Sequence, residues 1–261
     1  MIRLLTGLVL LPAVLAVIWF LPPLATLLLA IVAAELAMIE YSRIAAALGA
    51  TVPRLTSAFV IAACAALGTD VFPLEIVILA ALVVLGAIAV FTTSPGPHAL
   101  ASTSAAVFGV VYIGLPLGAL AAVRTIGGRE AVILLVVTIV ASDSAQYYTG
   151  RAFGRAPLAP AISPKKTREG AIGGVVVGSA AMIAGARLVF PAAPPAPLVL
   201  TAVAVVVLGI LGDLFESMLK RSAGVKDSSS LIPGHGGVLD RIDSWLFASP
   251  AYYLFVRYLQ V

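Results

Sequence analysis

Charge is scarce in this sequence. Only 11% of its 261 residues are Asp, Glu, Lys or Arg, against about a quarter in a soluble globular domain. Hydrophobic residues make up 61% and the mean hydropathy is +1.12. A water-soluble globule and a disordered chain are both excluded by that balance. Cysteine is nearly absent. Cys64 stands alone in an apolar run, so no intrachain disulfide forms, a zinc site built on cysteines is excluded, and Cys64 reads as packing. The two histidines, His98 and His235, form no evident triad with Ser and Asp; His98 reads as a loop residue. The small excess of Lys and Arg, 16 against 12 acids, fits cytoplasmic loops of a membrane protein and not nucleic-acid binding.

Long apolar runs fill most of the chain. A membrane span needs roughly 20 apolar residues, and nine segments qualify: 4–21, 24–42, 55–72, 74–92, 99–123, 130–149, 170–190, 198–219 and 244–260. Turn chemistry separates them, at Pro22-Pro23, Pro53, Pro73, Ser94-Pro95-Gly96-Pro97, Gly127-Gly128 and Pro191 to Pro197. Pro22-Pro23 stands where a signal peptide would carry small residues, so the first segment is expected to remain as a span. The expected fold is all-α, a polytopic integral membrane protein of about nine helices. It reads as one transmembrane domain over 1–261, with N-terminal spans over 1–129 and catalytic spans and cytoplasmic loops over 130–261. With a cytoplasmic N-terminus, nine spans place 12 basic residues on the inside: Arg3, Arg43, Arg54, Arg151, Arg155, Lys165, Lys166, Arg168, Lys220, Arg221, Lys226 and Arg241. Four lie outside: Arg124, Arg129, Arg187 and Arg257. This split satisfies the positive-inside bias. Gly170, Gly174 and Gly178 share one helix face and read as a close-packing seam.

Polar chemistry collects in two inside loops, near 150–169 and 220–243. Five of the 12 acids lie between 213 and 243: Asp213, Glu216, Asp227, Asp240 and Asp243. Asp213, Glu216, Ser217 and Lys220 share a helix face by spacing. Asp213 lies a turn deeper than the snorkelling Lys220 and Arg221, where an acid is costly. Then follow Lys226-Asp227, Pro233-Gly234-His235-Gly236-Gly237 and Asp240-Arg241-Ile242-Asp243. Glycines let backbone N–H groups approach an anion, basic side chains hold phosphates, and carboxylates select hard cations such as Mg²⁺. The other loop carries Ser163-Pro164-Lys165-Lys166-Thr167-Arg168-Glu169-Gly170, which reads equally as anion binding or as a basic anchor at the lipid surface. Asp143 and Tyr147 stand one turn apart. Glu35 reads either as a buried contact or as part of a pathway. Glu40 reads as interfacial, beside Tyr41 and Arg43. Asp70 and Glu75 read as solvated.

These residues resemble the phosphatidate cytidylyltransferases, or CDP-diacylglycerol synthases. The family signature runs S-x-apolar-K-R-x4-K-D, a short spacer, then P-x-H-G-G-apolar-x-D-R-apolar-D. Here it reads Ser217-Met218-Leu219-Lys220-Arg221, Lys226-Asp227 and Pro233 through Asp243, with each constrained position met. Ser163-Pro164-Lys165-Lys166-Thr167 with Glu169-Gly170 is similar to the family's S-P-K-K-T-x-E-G loop, and Asp143, Tyr147 and Gly150 to its D-x-x-A-Y-x-x-G segment. The chain departs at Arg168, where an aromatic is common, and at Gln146, where a small residue is usual. The specific likeness covers about 143–243.

The resemblance implies transfer of a cytidylyl group from CTP to phosphatidate, releasing pyrophosphate; the basic-residue split puts the cluster at the cytoplasmic face, and small size without organelle signals favours a bacterial inner membrane. It implies Lys220, Arg221, Lys226, Asp227, Asp240, Arg241 and Asp243 as catalytic residues. Ser163, Lys165, Lys166, Thr167, Glu216, Ser217, His235, Gly236 and Gly237 are expected to bind substrate. Asp213, Asp227, Asp240 and Asp243, with Asp143 behind them, are expected to hold Mg²⁺, alone or with a second cation. CTP and membrane phosphatidate are the expected partners, nucleic acid is not, and a homodimer stays open. Two other readings remain. The same site would serve another lipid phosphate, and Glu35, Asp143 and Asp213 could line an ion path in a transporter.

Overall fold

The computed structural model describes residues 2–234 and 236–259, and the side chains of these apart from 2–9, 97 and 259. His235, expected to bind substrate, lies outside the described residues. The helices are α1 (Ile2–Phe20), α2 (Pro23–Ala47), α3 (Leu55–Thr69), α4 (Leu74–Thr92), α5 (Pro97–Gly109), α6 (Leu115–Phe153), α7 (Arg168–Val189), α8 (Pro195–Ser222) and α9 (Leu239–Leu254). π-helical turns follow α5 (Val110–Gly114) and α9 (Phe255–Leu259). The all-α expectation misses one small element. β1 (Pro157–Ala159) and β2 (Ser163–Thr167) form an antiparallel hairpin. Pro157, Pro160 and Pro164 withhold the N–H donors that a helix through this loop would need.

Among the described residues, five helices are long and apolar enough to cross a membrane: Pro23–Ala47, Leu74–Thr92, His98–Phe153, Arg168–Val189 and Pro195–Ser222. Leu10–Phe20 and Leu55–Thr69 are apolar but shorter. The chain is a helical membrane protein. The stretch His98–Phe153 holds 56 residues. At 1.5 Å per residue it would reach about 84 Å if straight, against a hydrocarbon core of about 30 Å. Gly128 breaks it with φ 81° and ψ −179°, between the two segments that the sequence separates at Gly127-Gly128.

The fold divides into two compact units. The first comprises Met1–Thr125 and Leu219–Ile242; the second comprises Ile126–Met218 and Asp243–Val261. In the first, Pro23 starts α2 with a pre-set φ. Gly49, at φ 82°, ends it in a Schellman turn, Ala50 N donating to Ala45 O and Gly49 N to Ala46 O. Gly114 and Gly118 allow close approach to α3, where a Cβ on Gly118 would sit 2.9 Å from the Cα of Cys64. Cys64 is fully buried and its thiol donates to Gly114 O, which confirms packing. Helix α4 buries Val77, Ala81 and Leu85 while exposing Ile76, Leu79, Val83 and Val90. An element apolar on every side belongs in lipid.

In the second unit the glycine face of α7 packs on α6. A Cβ on Gly174 would lie 3.1 Å from Ser142 O, and one on Gly178 would lie 2.8 Å from Ser142 Cβ. The expected seam is therefore a contact within the chain. Thr167 caps α7, accepting from Gly170 N at 3.1 Å. Gly212 of α8 allows the backbone of Asp243 in α9 to come close.

Candidate active site

In the first unit the signature forms one ordered loop. Helix α8 ends in a second Schellman turn: Gly224, at φ 72°, donates to Arg221 O while Val225 N donates to Lys220 O. Further on, Ile232 N donates to Gly236 O at 2.8 Å, closing a tight turn that needs φ 76° at Gly234 and φ 82° at Gly236. Two buried carboxylates hold this loop. Asp240, in the first turn of α9, accepts from Ser228 N (2.9 Å), Ser228 Oγ (2.8 Å) and Gly237 N (2.7 Å) on one oxygen. Its other oxygen accepts from Lys220 Nζ at 2.5 Å. Burial alone would raise the Asp240 pKa; the Lys220 ammonium and the Gly237 and Ser228 amides outweigh burial and hold it below the ordinary carboxylate value.

The second carboxylate is Glu40, which the sequence places at the interface. It is instead buried, at 2% exposure. Its oxygens accept from Ser228 Oγ (2.9 Å), Ser229 Oγ (2.6 Å), Val238 N (3.0 Å) and Leu239 N (2.8 Å). Glu40, Ser228 and Ser229 are the residues that sequence reasoning missed. An acid inside a 25-residue apolar helix was the available signal, and its nearness to Tyr41 and Arg43 hid it.

The loop borders a cavity of about 560 Å³, lined in part by Lys226, Asp227, Ser229, Gly236 and Arg241. The side chains of Lys226, Asp227 and Arg241 make no hydrogen bond or ion pair among the described residues. Two cations, a carboxylate and glycine backbone around an open space are suited to polyphosphate. Arg221 turns back to Val225 O at 3.1 Å.

In the second unit Lys166 of β2 pairs with Asp213 of α8, and Ser217 Oγ donates to Asp213 at 3.4 Å. Asp143 of α6 lies within electrostatic reach of both Asp213 and Lys166. Gln146 donates to Asp143 at 3.0 Å, so the residue that departs from the family pattern orients this carboxylate. Glu169 accepts from the amides of Arg155 (3.0 Å) and Ala156 (3.3 Å) and fixes the base of the hairpin. Lys165 is exposed and Ser163 half-buried. Glu216 is fully buried. Asp243 accepts from Ser244 N at 2.7 Å.

Among the described residues no group of three or more His, Cys, Asp or Glu side chains could enclose a cation. Mg²⁺ does not require one, because it is commonly held by one or two carboxylates together with substrate phosphates. Asp227 on the cavity and the Asp143–Asp213 pair fit that demand. Asp240 fits it poorly, since four donors already occupy its oxygens.

Residues 1–259 match the Cytidylyltransferase family. A phosphatidate cytidylyltransferase of Haemophilus influenzae is 43% identical over 138 residues, 49% of this chain and 46% of that protein. That of Bacillus subtilis is 40% identical over 148 residues, 55% of this chain and 54% of that protein. That of Helicobacter pylori strain J99 is 35% identical over 196 residues, 72% of this chain and 67% of that protein. The matched part thus spans about half the length of several of these relatives. The chain belongs to the Cytidylyltransferase family.

Proposed function

We propose that the chain transfers a cytidylyl group from CTP to phosphatidate, giving CDP-diacylglycerol and pyrophosphate. The observation that carries this reading is the cavity on which Lys226, Asp227 and Arg241 stand unpaired among the described residues while buried carboxylates hydrogen-bond its loop. A lipid phosphate oxygen attacks the α-phosphorus of CTP; a new P–O bond forms as the α–β bridging P–O bond breaks, and pyrophosphate leaves with the electron pair. The second pKa of a phosphate monoester is about 6, so the nucleophile is already ionised and no strong general base is needed. The main obstacle is repulsion between anions. Lys226 and Arg241 hold nucleotide phosphates, and the glycine amides lie beside them. Lys220 acts through Asp240, fixing the loop. Lys166, steered by Asp213, offers charge to a phosphate. Mg²⁺ would neutralise phosphate oxygens; in the first unit Asp227 would hold it, and in the second Asp143 and Asp213 would.

The reaction calls for a site at the cytoplasmic face, where CTP arrives and the lipid stays in its leaflet. Nine crossings from a cytoplasmic N-terminus give that placement. Contacts within each unit support this alternation. The C-terminal part of α2 meets the 228–239 loop through Glu40, and the hairpin meets the end of α8 through Lys166; all four segments are inside by count. Arg124, outside by count, donates to Ile18 O and Leu21 O at the far end of α1. The test uses purified protein in detergent with phosphatidate, labelled CTP and Mg²⁺. Label should enter the lipid and stop entering on addition of EDTA. No transfer from folded protein, with other lipid phosphates also offered, would refute the reading.

A further inference from the structure

We propose that Glu40 is a positioning residue that clamps both ends of the nucleotide loop, and that this clamp is a contribution of the N-terminal helices to turnover. The inference rests on the cytidylyl-transfer reading and extends it to a helix outside the signature. Glu40 belongs to α2, yet its four hydrogen-bond donors all lie in 228–239. Ser228 and Ser229 directly follow Lys226-Asp227, and Val238 and Leu239 directly precede Asp240-Arg241. One carboxylate therefore fixes the entry and the exit of the segment that lines the cavity.

The chemistry requires a carboxylate here. Val238 N and Leu239 N lie at the start of α9, where backbone donors lack helical partners and a negative charge is favoured. Each Glu40 oxygen takes one amide and one hydroxyl, the single Ser228 proton being shared with Asp240. No cation forms a salt bridge with Glu40 among the described residues, so these donors alone compensate a buried charge. Gly237 completes the fit, because a Cβ there would collide with the Glu40 carboxylate and with Ser228 Oγ. Glutamine keeps the shape but turns one acceptor into an N–H group facing another donor.

The test compares wild type, Glu40→Gln and Ser229→Ala. The kinetic readout is the KM for CTP at saturating phosphatidate. Loss of fold lowers the amount of active enzyme and leaves the KM of the surviving molecules unchanged, whereas a displaced loop raises KM itself. Glu40→Gln should raise KM by about tenfold or more, the effect of losing one hydrogen bond to a buried charge. Ser229→Ala should raise it less, and amide exchange at Val238 and Leu239 should quicken in Glu40→Gln. A fall in maximal rate with KM and exchange unchanged overturns the proposal. Retention of labelled CTP without phosphatidate is measured separately by equilibrium dialysis. Weaker retention by Glu40→Gln supports the clamp even if wild type transfers no label to lipid, and equal retention overturns it.

Discussion

Asp240 and Lys220 are both 8% exposed, and the rest of the site depends on what surrounds them. Asp240→Asn removes the charge that Lys220 and the Ser228 and Gly237 amides hold, and breaking a buried pair from one side costs about 3–5 kcal/mol. The variant should melt at a lower temperature and lose label transfer. Lys220→Met should cost less, because Asp240 keeps its donors at Ser228 and Gly237. Comparing the two melting temperatures checks the order. The pH dependence follows from the lowered Asp240 pKa. A carboxyl held lower in the folded state than in the unfolded chain stabilises the fold above the unfolded value of about 3.9, and that stability is lost as pH falls through the lower folded value. Amide protection at Ser228 and Gly237 should therefore persist through pH 5 and 4 and fail only in stronger acid. Loss of protection near pH 5 would contradict the assignment.

At the level of elements, glycines separate positions that the fold requires from positions it leaves open. Gly237→Ala would drive a Cβ into Ser228 and Glu40, so the loop should open and transfer should fall sharply. Gly86 lies inside α4 with nothing within 4 Å of an added Cβ. Gly86→Ala should stabilise by about 0.4–1 kcal/mol through the unfolded chain, read as a small rise in melting temperature with turnover unchanged. The same contrast explains what could be read from sequence. Apolar length and Pro-Gly punctuation were enough to place the helices, since those signals are local. The hairpin at 157–167 was missed because three prolines and two lysines carry no strand period. The loop from Lys220 to Asp243 could be read from the sequence as one polar unit because its residues are contiguous. The partner that clamps it was not, because Glu40 stands 188 positions before Ser228 and no spacing rule reaches that far. The grouping of Asp240 with Asp243 as ligands assumed that i and i+3 carboxylates act together. In the fold Asp240 is taken up by Lys220, Ser228 and Gly237, while Asp243 turns to Ser244 N.

For the whole molecule, the arrangement of crossings can be tested through the near absence of cysteine. Cys64 is fully buried and its thiol donates to a backbone carbonyl, so the wild-type chain should stay dark to a membrane-impermeant maleimide and needs no prior substitution. Ala161, Val225 and Ala192 are exposed and stand in three different connections between helices. Nine crossings from an inside N-terminus put Ala161 and Val225 in the cytoplasm and Ala192 outside. Ala192→Cys should thus label in intact cells, and Ala161→Cys and Val225→Cys only in inverted vesicles. The hairpin and the signature loop must face the same compartment if they serve one reaction fed by soluble CTP. Opposite labelling of Ala161→Cys and Val225→Cys would break the inside count between α6 and α9, and the cytoplasmic placement of the reaction would fall with it. Labelling of all three from one side would instead mean that α7 and α8 do not each cross, and the excess of basic residues would need another cause than membrane orientation.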